Sequence, residues 1–295
     1  MTPSAAARRP ALLALCVLSL IWSYNWIVMK QALAWAGPIT FSAWRYGLGT
    51  LVLFALLVLR RRPLRPPPLW PTAWIGLAQT TGFQLLVQAA LLSGGAGRTA
   101  LLAYTMPFWV VLMNWLALGQ WPTRRLWLGL GVAAGGLLLV LEPWQGPGSD
   151  LTPTLLALAG GVCWAVGVVL SKRLFERGGV GALSLTAWQM LFGSVVIIAC
   201  AVLVPERPVA WTGGFIAALA YNALLSSGLG WAMWSFIVAQ LPANVAGLSS
   251  LAIPVLGIGF AWLVLGERPS GSESLGIGLI VIALALVNLR RARQP

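Results

Sequence analysis

An arginine, two glutamines and two tryptophans lie inside long apolar runs, where a polar side chain needs a partner. Arg45 falls in the run at about 38–59, and Gln84 and Gln88 fall in the run at about 70–92. A guanidinium can bind a carboxylate through two parallel hydrogen bonds. The sequence therefore predicts a carboxylate-binding role for Arg45. The alternative is that Arg45 reaches the membrane surface or pairs with a backbone carbonyl.

Aromatic and amide side chains at comparable depths complete the predicted binding site. Trp22 and Trp164 each lie about eleven residues into an apolar run, near the middle of a helix of membrane-spanning length. Indole rings line apolar sites and attract ammonium groups over their faces, although core packing is the alternative interpretation. The other predicted solute-binding residues are Asn25, Tyr104, Gln189 and Tyr221.

The third apolar run carries a polar stripe, and two further runs carry matched prolines. With helical periodicity, Thr80, Thr81, Gln84 and Gln88 fall within an arc of about 100°, which favours either a cavity lining or bonds to neighbouring helices. Pro107 and Pro254 lack a backbone N–H and are predicted gating hinges, with a purely structural kink as the alternative. A GxxxG pair, Gly131 and Gly135, predicts close helix packing.

Composition identifies the solvent of this chain. Of its 295 residues, 59% are hydrophobic and 8% charged, and there is no histidine. Soluble domains carry about 25% charged residues, so a membrane is the expected environment. The net charge of +13 is concentrated in short clusters such as Arg60–Arg62 rather than along one amphipathic face, which excludes nucleic-acid binding. The three cysteines show neither a disulfide pattern nor metal-ligand spacing, and no cofactor or metal is predicted.

Acidic residues are missing from the interior of the apolar runs. Membrane proteases and many lipid transferases need paired carboxylates or histidine, so the sequence argues against an intramembrane enzyme. A carboxylate or imidazole proton relay also lacks a carrier. We therefore expect transport driven by the solute gradient, with sodium held by backbone carbonyls as the alternative.

The distribution of apolar segments and charges predicts an all-α membrane protein with ten spans. The runs lie at about 11–34, 38–59, 70–92, 97–118, 126–142, 153–174, 182–204, 211–236, 242–265 and 273–289. With the N- and C-termini in the cytoplasm, fourteen of the 19 Lys and Arg residues fall inside; Arg98, Arg207 and Arg268 fall outside, and Lys30 and Arg45 lie within helices. This asymmetry follows the positive-inside rule.

The two halves of the chain repeat one pattern. Trp22 and Lys30 have the same spacing as Trp164 and Lys172, and Ala43-Trp44-Arg45 matches Ala187-Trp188-Gln189. Pro107 precedes Gly119-Gln120-Trp121-Pro122 as Pro254 precedes Gly266-Glu267-Arg268-Pro269. Five spans per copy require the copies, 1–148 and 149–295, to enter the membrane from opposite sides. Such inverted repeats, with a central cavity between them, suit alternating access.

These landmarks resemble the drug/metabolite transporter superfamily, specifically its ten-helix EamA-type branch and the exporters of aromatic and other amino acids within it. The resemblance implies a basket of helices 1–4 and 6–9 around a central cavity, with helices 5 and 10 at the periphery. Copy one departs from the family at Gln120, where the family often has Glu.

The predicted function is secondary transport of small solutes, with amino-acid export across a bacterial inner membrane foremost. The alternatives are efflux of drugs or other metabolites and, from a different class, a non-transporting membrane scaffold. The expected partners are the solute and the lipid bilayer.

Overall fold

The computed structural model describes residues 5–118, 121, 123–141, 151–240 and 252–288, and these residues form helices joined by short connections. The first half contains α1 (Ala5–Ala32), α2 (Pro38–Leu59), α3 (Leu69–Ile75), π1 (Gly76–Gly82), α4 (Phe83–Ser93), α5 (Ala96–Ala103), α6 (Met106–Leu118) and α7 (Arg124–Leu141). The second half contains α8 (Leu151–Glu176), α9 (Ala182–Leu203), α10 (Gly213–Ala220), π2 (Tyr221–Leu229), α11 (Gly230–Gln240), α12 (Ala252–Leu265) and α13 (Gly271–Asn288).

Seven helical stretches within the described residues are long and apolar enough to cross a membrane. They are Leu12–Ala32, Pro38–Leu59, Leu69–Ser93, Ala96–Leu116, Leu151–Glu176, Ala182–Leu203 and Gly213–Trp234. Shorter apolar helices at Trp127–Val140, Ala252–Leu265 and Gly271–Ala283 coincide with the fifth, ninth and tenth predicted runs. The chain is therefore a helical, multi-pass membrane protein, whereas ten as the number of spans stays a prediction.

Two spans contain a π-helical segment at matching places in the two halves of the chain. In π1 and π2 the helix widens to i→i+5 hydrogen bonding before it returns to α geometry in α4 and α11. Because a π-helical turn contains more residues than an α-helical turn, the residues of the predicted polar stripe do not all face the same way. Thr80 and Thr81 face α9, where they donate to Gln189 Oε1 (2.8 Å) and to the Gly193 carbonyl (2.9 Å). Gln84, just beyond π1, instead faces α2.

The fourth span is interrupted at Tyr104 and Thr105, between α5 and α6, so that Pro107 occupies the first turn of α6. Proline is accommodated in a first turn because the N–H that it lacks has no intrahelical partner there. The Ala103 carbonyl at this break faces Gly161 of α8, where a Cβ atom would lie only 3.1 Å away. Pro254 is the third described residue of α12, and residues 241–251 before this helix lie outside the described part.

At the end of the bundle predicted to face outward, carboxylates from the second half cap helices of the first. Glu206 accepts hydrogen bonds from the backbone N–H groups of Ile39 (3.1 Å) and Thr40 (2.7 Å) at the start of α2. Glu267 accepts from Ala96 (2.9 Å) and Gly97 (3.2 Å) at the start of α5. A carboxylate stabilises a helix N-terminus through its unpaired N–H groups and the helix dipole.

Close packing of α7 against α13 depends on a different glycine from the predicted pair. A Cβ atom built on Gly131 or Gly135 would meet nothing within 4 Å, so neither residue lies at a close contact. Gly136 and Gly276 pack instead, because a Cβ on either would lie 2.8 or 2.5 Å from the other's carbonyl oxygen. The GxxxG prediction was therefore wrong about the residues, because the contact is made by Gly136, next to Gly135 and on another face of the helix. The predicted close packing of this helix is confirmed.

Candidate functional site

A small central cavity contains six of the nine predicted solute-binding residues. Its lining comprises aromatic side chains from both halves (Trp22, Trp26, Tyr46, Phe83, Tyr104, Trp164 and Trp231) together with Asn25, Met29, Arg45, Gln84 and Ser226. The cavity volume is about 50 Å³. A water molecule needs roughly 10–15 Å³ of such space, and a cavity that binds benzene measures roughly 150 Å³. The cavity must therefore expand before it can hold an organic solute.

Arg45 of α2 is the one charged residue among the described residues that line this cavity, and it is only 4% exposed. Its Nε donates to Ser227 Oγ (2.9 Å) and its Nη2 to Ser226 Oγ (3.3 Å), both in π2. Its Nη1 contacts Met29 Sδ (2.9 Å) and Gln84 Oε1 (3.4 Å), and Cζ lies 4.9 Å from the centre of the Tyr46 ring. Among the described residues, all these partners are neutral.

The orientation of the guanidinium follows from these partners. Ser226, Gln84 and Met29 line the cavity, whereas Ser227 does not, so the two Nη atoms face the cavity and Nε faces the helix interface. The contacts of Nη2 with Ser226 and of Nη1 with Gln84 are long, at 3.3 and 3.4 Å. A carboxylate could replace both contacts with shorter, charge-assisted hydrogen bonds in a two-pronged arrangement.

The Arg45 contact has a neutral counterpart in the other half. Arg45 and Gln189 are 144 residues apart, and their partners Ser227 and Thr80 are 147 apart, the same separation as Pro107 and Pro254. Gln189 Oε1 accepts a hydrogen bond from Thr80 Oγ1 (2.8 Å), whereas Arg45 Nε donates one to Ser227 Oγ. The two contacts join equivalent positions with opposite direction. Gln189 thus lies between α9 and π1, outside the cavity lining.

Matched glycines allow each helix to approach the π segment of the other half. A Cβ on Gly49 of α2 would lie 2.8 Å from Ser227 Cβ, and a Cβ on Gly193 of α9 would clash with Thr80 Cβ. Where α2 and α9 meet, the hydroxyls of Thr50 and Ser194 form a hydrogen bond of 3.0 Å, and these residues are also 144 apart. The two halves therefore repeat one packing arrangement, with a cation in one copy and an amide in the other.

Aromatic side chains of the two halves pack against each other around the cavity. The Trp22 ring lies 5.4 Å from that of Trp231, and its Nε1 donates to the Ser226 carbonyl (3.1 Å). The Trp164 ring lies 5.1 Å from Phe83 and 5.2 Å from Tyr104. These clusters give the cavity two apolar walls, one built on Trp22 and one on Trp164.

The remaining predicted residues take different places. Asn25 donates to Met29 Sδ (2.9 Å), while its Oδ1 is buried without a hydrogen-bond partner in the described part of the chain. Gln88 is fully buried with both amide atoms unpartnered there, but it lies outside the cavity lining. Tyr221 donates to the Ile21 carbonyl (2.8 Å) and also lies outside the lining.

Sequence reasoning did not single out several lining residues. They are Trp26, Met29, Tyr46, Phe83, Ser226 and Trp231. Trp26 and Met29 follow Trp22 at helical spacings of four and seven residues, a periodicity that could have identified them. Ser226 belongs to a Ser-Ser pair inside an apolar span, which is a usable signal for a polar interior.

Comparison with known proteins gives full-length matches. The EamA-like transporter family model matches residues 9–142 and 151–289. The chain is 27% identical to the uncharacterized transporter YoaV of Bacillus subtilis, covering 96% of this chain and 98% of that protein. It is 24% identical to a protein of Salmonella typhimurium named "Probable amino-acid metabolite efflux pump", covering 94% of each.

A solved crystal structure has the same fold as this chain. The TM-score is 0.67 at 23% identity, with 96% of this chain and 99% of the solved chain covered. The uncharacterized inner membrane transporter YedA of Escherichia coli is 26% identical, covering 96% of this chain and 92% of that protein. Because the family model covers most of both halves, the protein belongs to the EamA-like transporter family of the drug/metabolite transporter superfamily.

Proposed function

We propose that this protein is a secondary transporter that exports small carboxylate-bearing solutes, amino acids foremost, across a bacterial inner membrane. The observation that carries the proposal is Arg45, a buried cation at a central cavity whose partners among the described residues are all neutral. A buried charge without a counter-charge is unfavourable. A solute carboxylate would supply that counter-charge.

The aromatic walls define the rest of the solute. A carboxylate on the Nη edge of Arg45 would place the body of the solute between the Trp22 and Trp164 walls. These walls offer flat apolar surfaces, which suit aromatic or branched apolar groups. Among amino acids, the predicted selectivity is therefore for those with large apolar side chains.

Alternating access between inverted repeats is the proposed mechanism. The matched contacts of Arg45 with Ser227 and of Gln189 with Thr80 support a symmetric construction. Such a fold has two nearly equivalent arrangements, one open to each side of the membrane. The small cavity fits a contracted stage of this cycle, because an aromatic solute needs more room than about 50 Å³.

Efflux of another metabolite or a drug is the second candidate. It is favoured by the neutral lining of the cavity apart from Arg45, because a solute ammonium would meet no carboxylate among the described lining residues. A cationic drug would meet the Arg45 guanidinium without compensation. This second candidate therefore concerns neutral or anionic compounds.

The test is efflux from proteoliposomes loaded with labelled amino acids, with two matched variants. Arg45→Gln replaces the cation by the residue at its counterpart position, and we expect it to weaken solute binding by about 2–5 kcal/mol, or about 30-fold or more. Gln189→Met changes the counterpart outside the cavity, and we expect it to retain flux. Equal flux in the wild type and in Arg45→Gln would remove Arg45 from the solute site.

A further inference from the structure

The cavity has an unbalanced charge inventory. Among the described residues, its lining contains one formal charge, the Arg45 guanidinium, beside neutral polar groups. Four of the six acids in the sequence are described, and each lies near a helix end: Glu176 near Lys172 (4.0 Å), Glu206 at the α2 N-terminus, Glu267 near Lys30 (3.0 Å) and Glu273 near Arg98 (3.9 Å). The other two, Glu142 and Asp150, lie outside the described residues.

This inventory distinguishes a zwitterion from an anion. A bound amino acid would satisfy Arg45 with its carboxylate but would bring an ammonium within a few ångströms of the guanidinium. The occupied site would then keep a net positive charge. A monoanion of the same shape would leave the site neutral. Like charges close together in a low-dielectric interior repel strongly, so electrostatics favours the monoanion.

Hydrogen bonding points the same way. An ammonium has three N–H donors and no acceptor. Asn25 Oδ1 is a buried lining acceptor without a partner in the described part of the chain, while Gln84 Oε1 already accepts from Tyr46 (3.1 Å) and Arg45 (3.4 Å). The described lining offers an ammonium one free amide oxygen, the hydroxyl oxygens of Tyr46, Tyr104 and Ser226 and the neighbouring ring faces, all of them neutral. A solute without the ammonium needs no such partners.

We infer that the cavity binds aromatic monocarboxylates that lack an amino group, such as arylalkanoic and aryl-2-oxo acids, more tightly than the corresponding amino acids. The inference rests on the proposed function, because it assigns the solute carboxylate to Arg45 and the ring to the same aromatic walls. It goes further in naming the charge state that the site prefers. Amino acids then become weaker ligands of a site suited to anions.

Three related compounds test this inference: phenylalanine, 3-phenylpropionate, which lacks only the amino group, and phenethylamine, which lacks the carboxyl group and its carbon. Binding to the purified full-length protein is measured by quenching of its tryptophan fluorescence, independently of transport. We expect 3-phenylpropionate to bind about ten-fold more tightly than phenylalanine. We expect phenethylamine to bind about ten-fold more weakly than phenylalanine. Tighter binding of phenylalanine than of 3-phenylpropionate would overturn the inference.

A charge-adding variant tests the cause. Asn25→Asp keeps the side-chain shape and supplies the missing carboxylate, so it should reverse the order of phenylalanine and 3-phenylpropionate. Gln84→Glu is a second variant on the same lining and should also weaken 3-phenylpropionate, because the new carboxylate would compete for Arg45. An unchanged order of ligands in both variants would contradict the electrostatic argument.

Failure of the inference and failure of the proposed function give different results. If 3-phenylpropionate binds most tightly but neither it nor phenylalanine leaves loaded proteoliposomes, the inference stands and the transport proposal fails. If phenylalanine is exported and also binds more tightly than 3-phenylpropionate, the transport proposal stands and the inference fails.

Discussion

The Lys30 ammonium at the end of α1 lies 3.0 Å from the carboxylate of Glu267, which follows α12 in the other half of the chain. Lys30 also donates to the Gly94 carbonyl (2.7 Å), and Glu267 caps the start of α5. Three helical elements are thereby joined at the end of the bundle predicted to face outward. The sequence analysis placed Lys30 within a helix, and the ion pair gives its ammonium a specific partner.

Removing the Glu267 charge should loosen this end of the bundle. In Glu267→Gln, the N–H groups of Ala96 and Gly97 lose a charged acceptor, and we expect the protein to lose about 1 kcal/mol of stability. In a Cys-free background, Ser226→Cys at the cavity should react faster with a membrane-impermeant thiol reagent added outside whole cells. Glu176→Gln, which removes an exposed intrahelical pair with Lys172, is the control and should leave the labelling rate unchanged. An equal rate in Glu267→Gln would show that this contact does not restrict access.

Gly49 should be intolerant of a methyl group, whereas Gly47 should accept one. A Cβ on Gly49 would lie 2.8 Å from Ser227 Cβ and would push π2 away from Arg45, while a Cβ on Gly47 would meet only Ile198 Cδ1 at 3.8 Å. We expect Gly49→Ala to cost about 1–3 kcal/mol and most of the transport activity. Gly47→Ala should leave thermal unfolding in detergent and flux close to wild type. Similar unfolding temperatures for the two variants would contradict the packing argument.

Transport should proceed without an imposed ion gradient. Among the described residues, no carboxylate or histidine lines the cavity, so the lining lacks a side chain that would release a proton near neutral pH. Efflux of labelled solute should therefore continue when the pH and sodium concentrations are equal across the liposome membrane. Abolition of flux under those conditions, with the solute gradient kept, would establish ion coupling.

Fusion reporters should place the two equivalent loops on opposite faces of the membrane. Thr123 and Pro269 follow corresponding helices of the two halves, and inverted copies require one loop inside and one outside. We expect a fluorescent-protein fusion after Thr123 to be bright and an alkaline phosphatase fusion after Pro269 to be active. The same face for both would eliminate the inverted arrangement.

The sequence was a good guide to the intramembrane polar residues and a poor one to the detailed path of the helices. Arg45, Asn25 and Gln84 stood out because the membrane penalises polar groups, and the structure brings all three to one cavity. The direction of Thr80 could not be foreseen, because helical periodicity assumes 3.6 residues per turn and π1 breaks that assumption.

Contacts between elements distant in the chain were also beyond the sequence. The GxxxG spacing singled out Gly131 and Gly135, and only the position of α13 shows that Gly136 makes the close contact. Likewise, the repeat aligned Arg45 with Gln189, but nothing local showed that each is bonded to a π segment of the opposite half. Binding of solute by the cavity residues is a prediction, and the proposed variants test it.

The helix caps made by Glu206 and Glu267 affect which conformation the unloaded protein prefers. In the repeat, Glu267 corresponds to Gln120, and Glu206 corresponds to Arg62, which lies 144 residues earlier. Neither Gln120 nor Arg62 has a carboxylate, so neither can cap a helix in this way at the opposite end of the bundle. The unloaded protein should therefore spend more time sealed towards the periplasm than towards the cytosol. This conformational preference cannot set the direction of net transport, because an uncoupled carrier moves its solute only down the solute's concentration gradient. It sets the side on which the empty protein is ready to load, and an exporter is best served by loading from the cytosol.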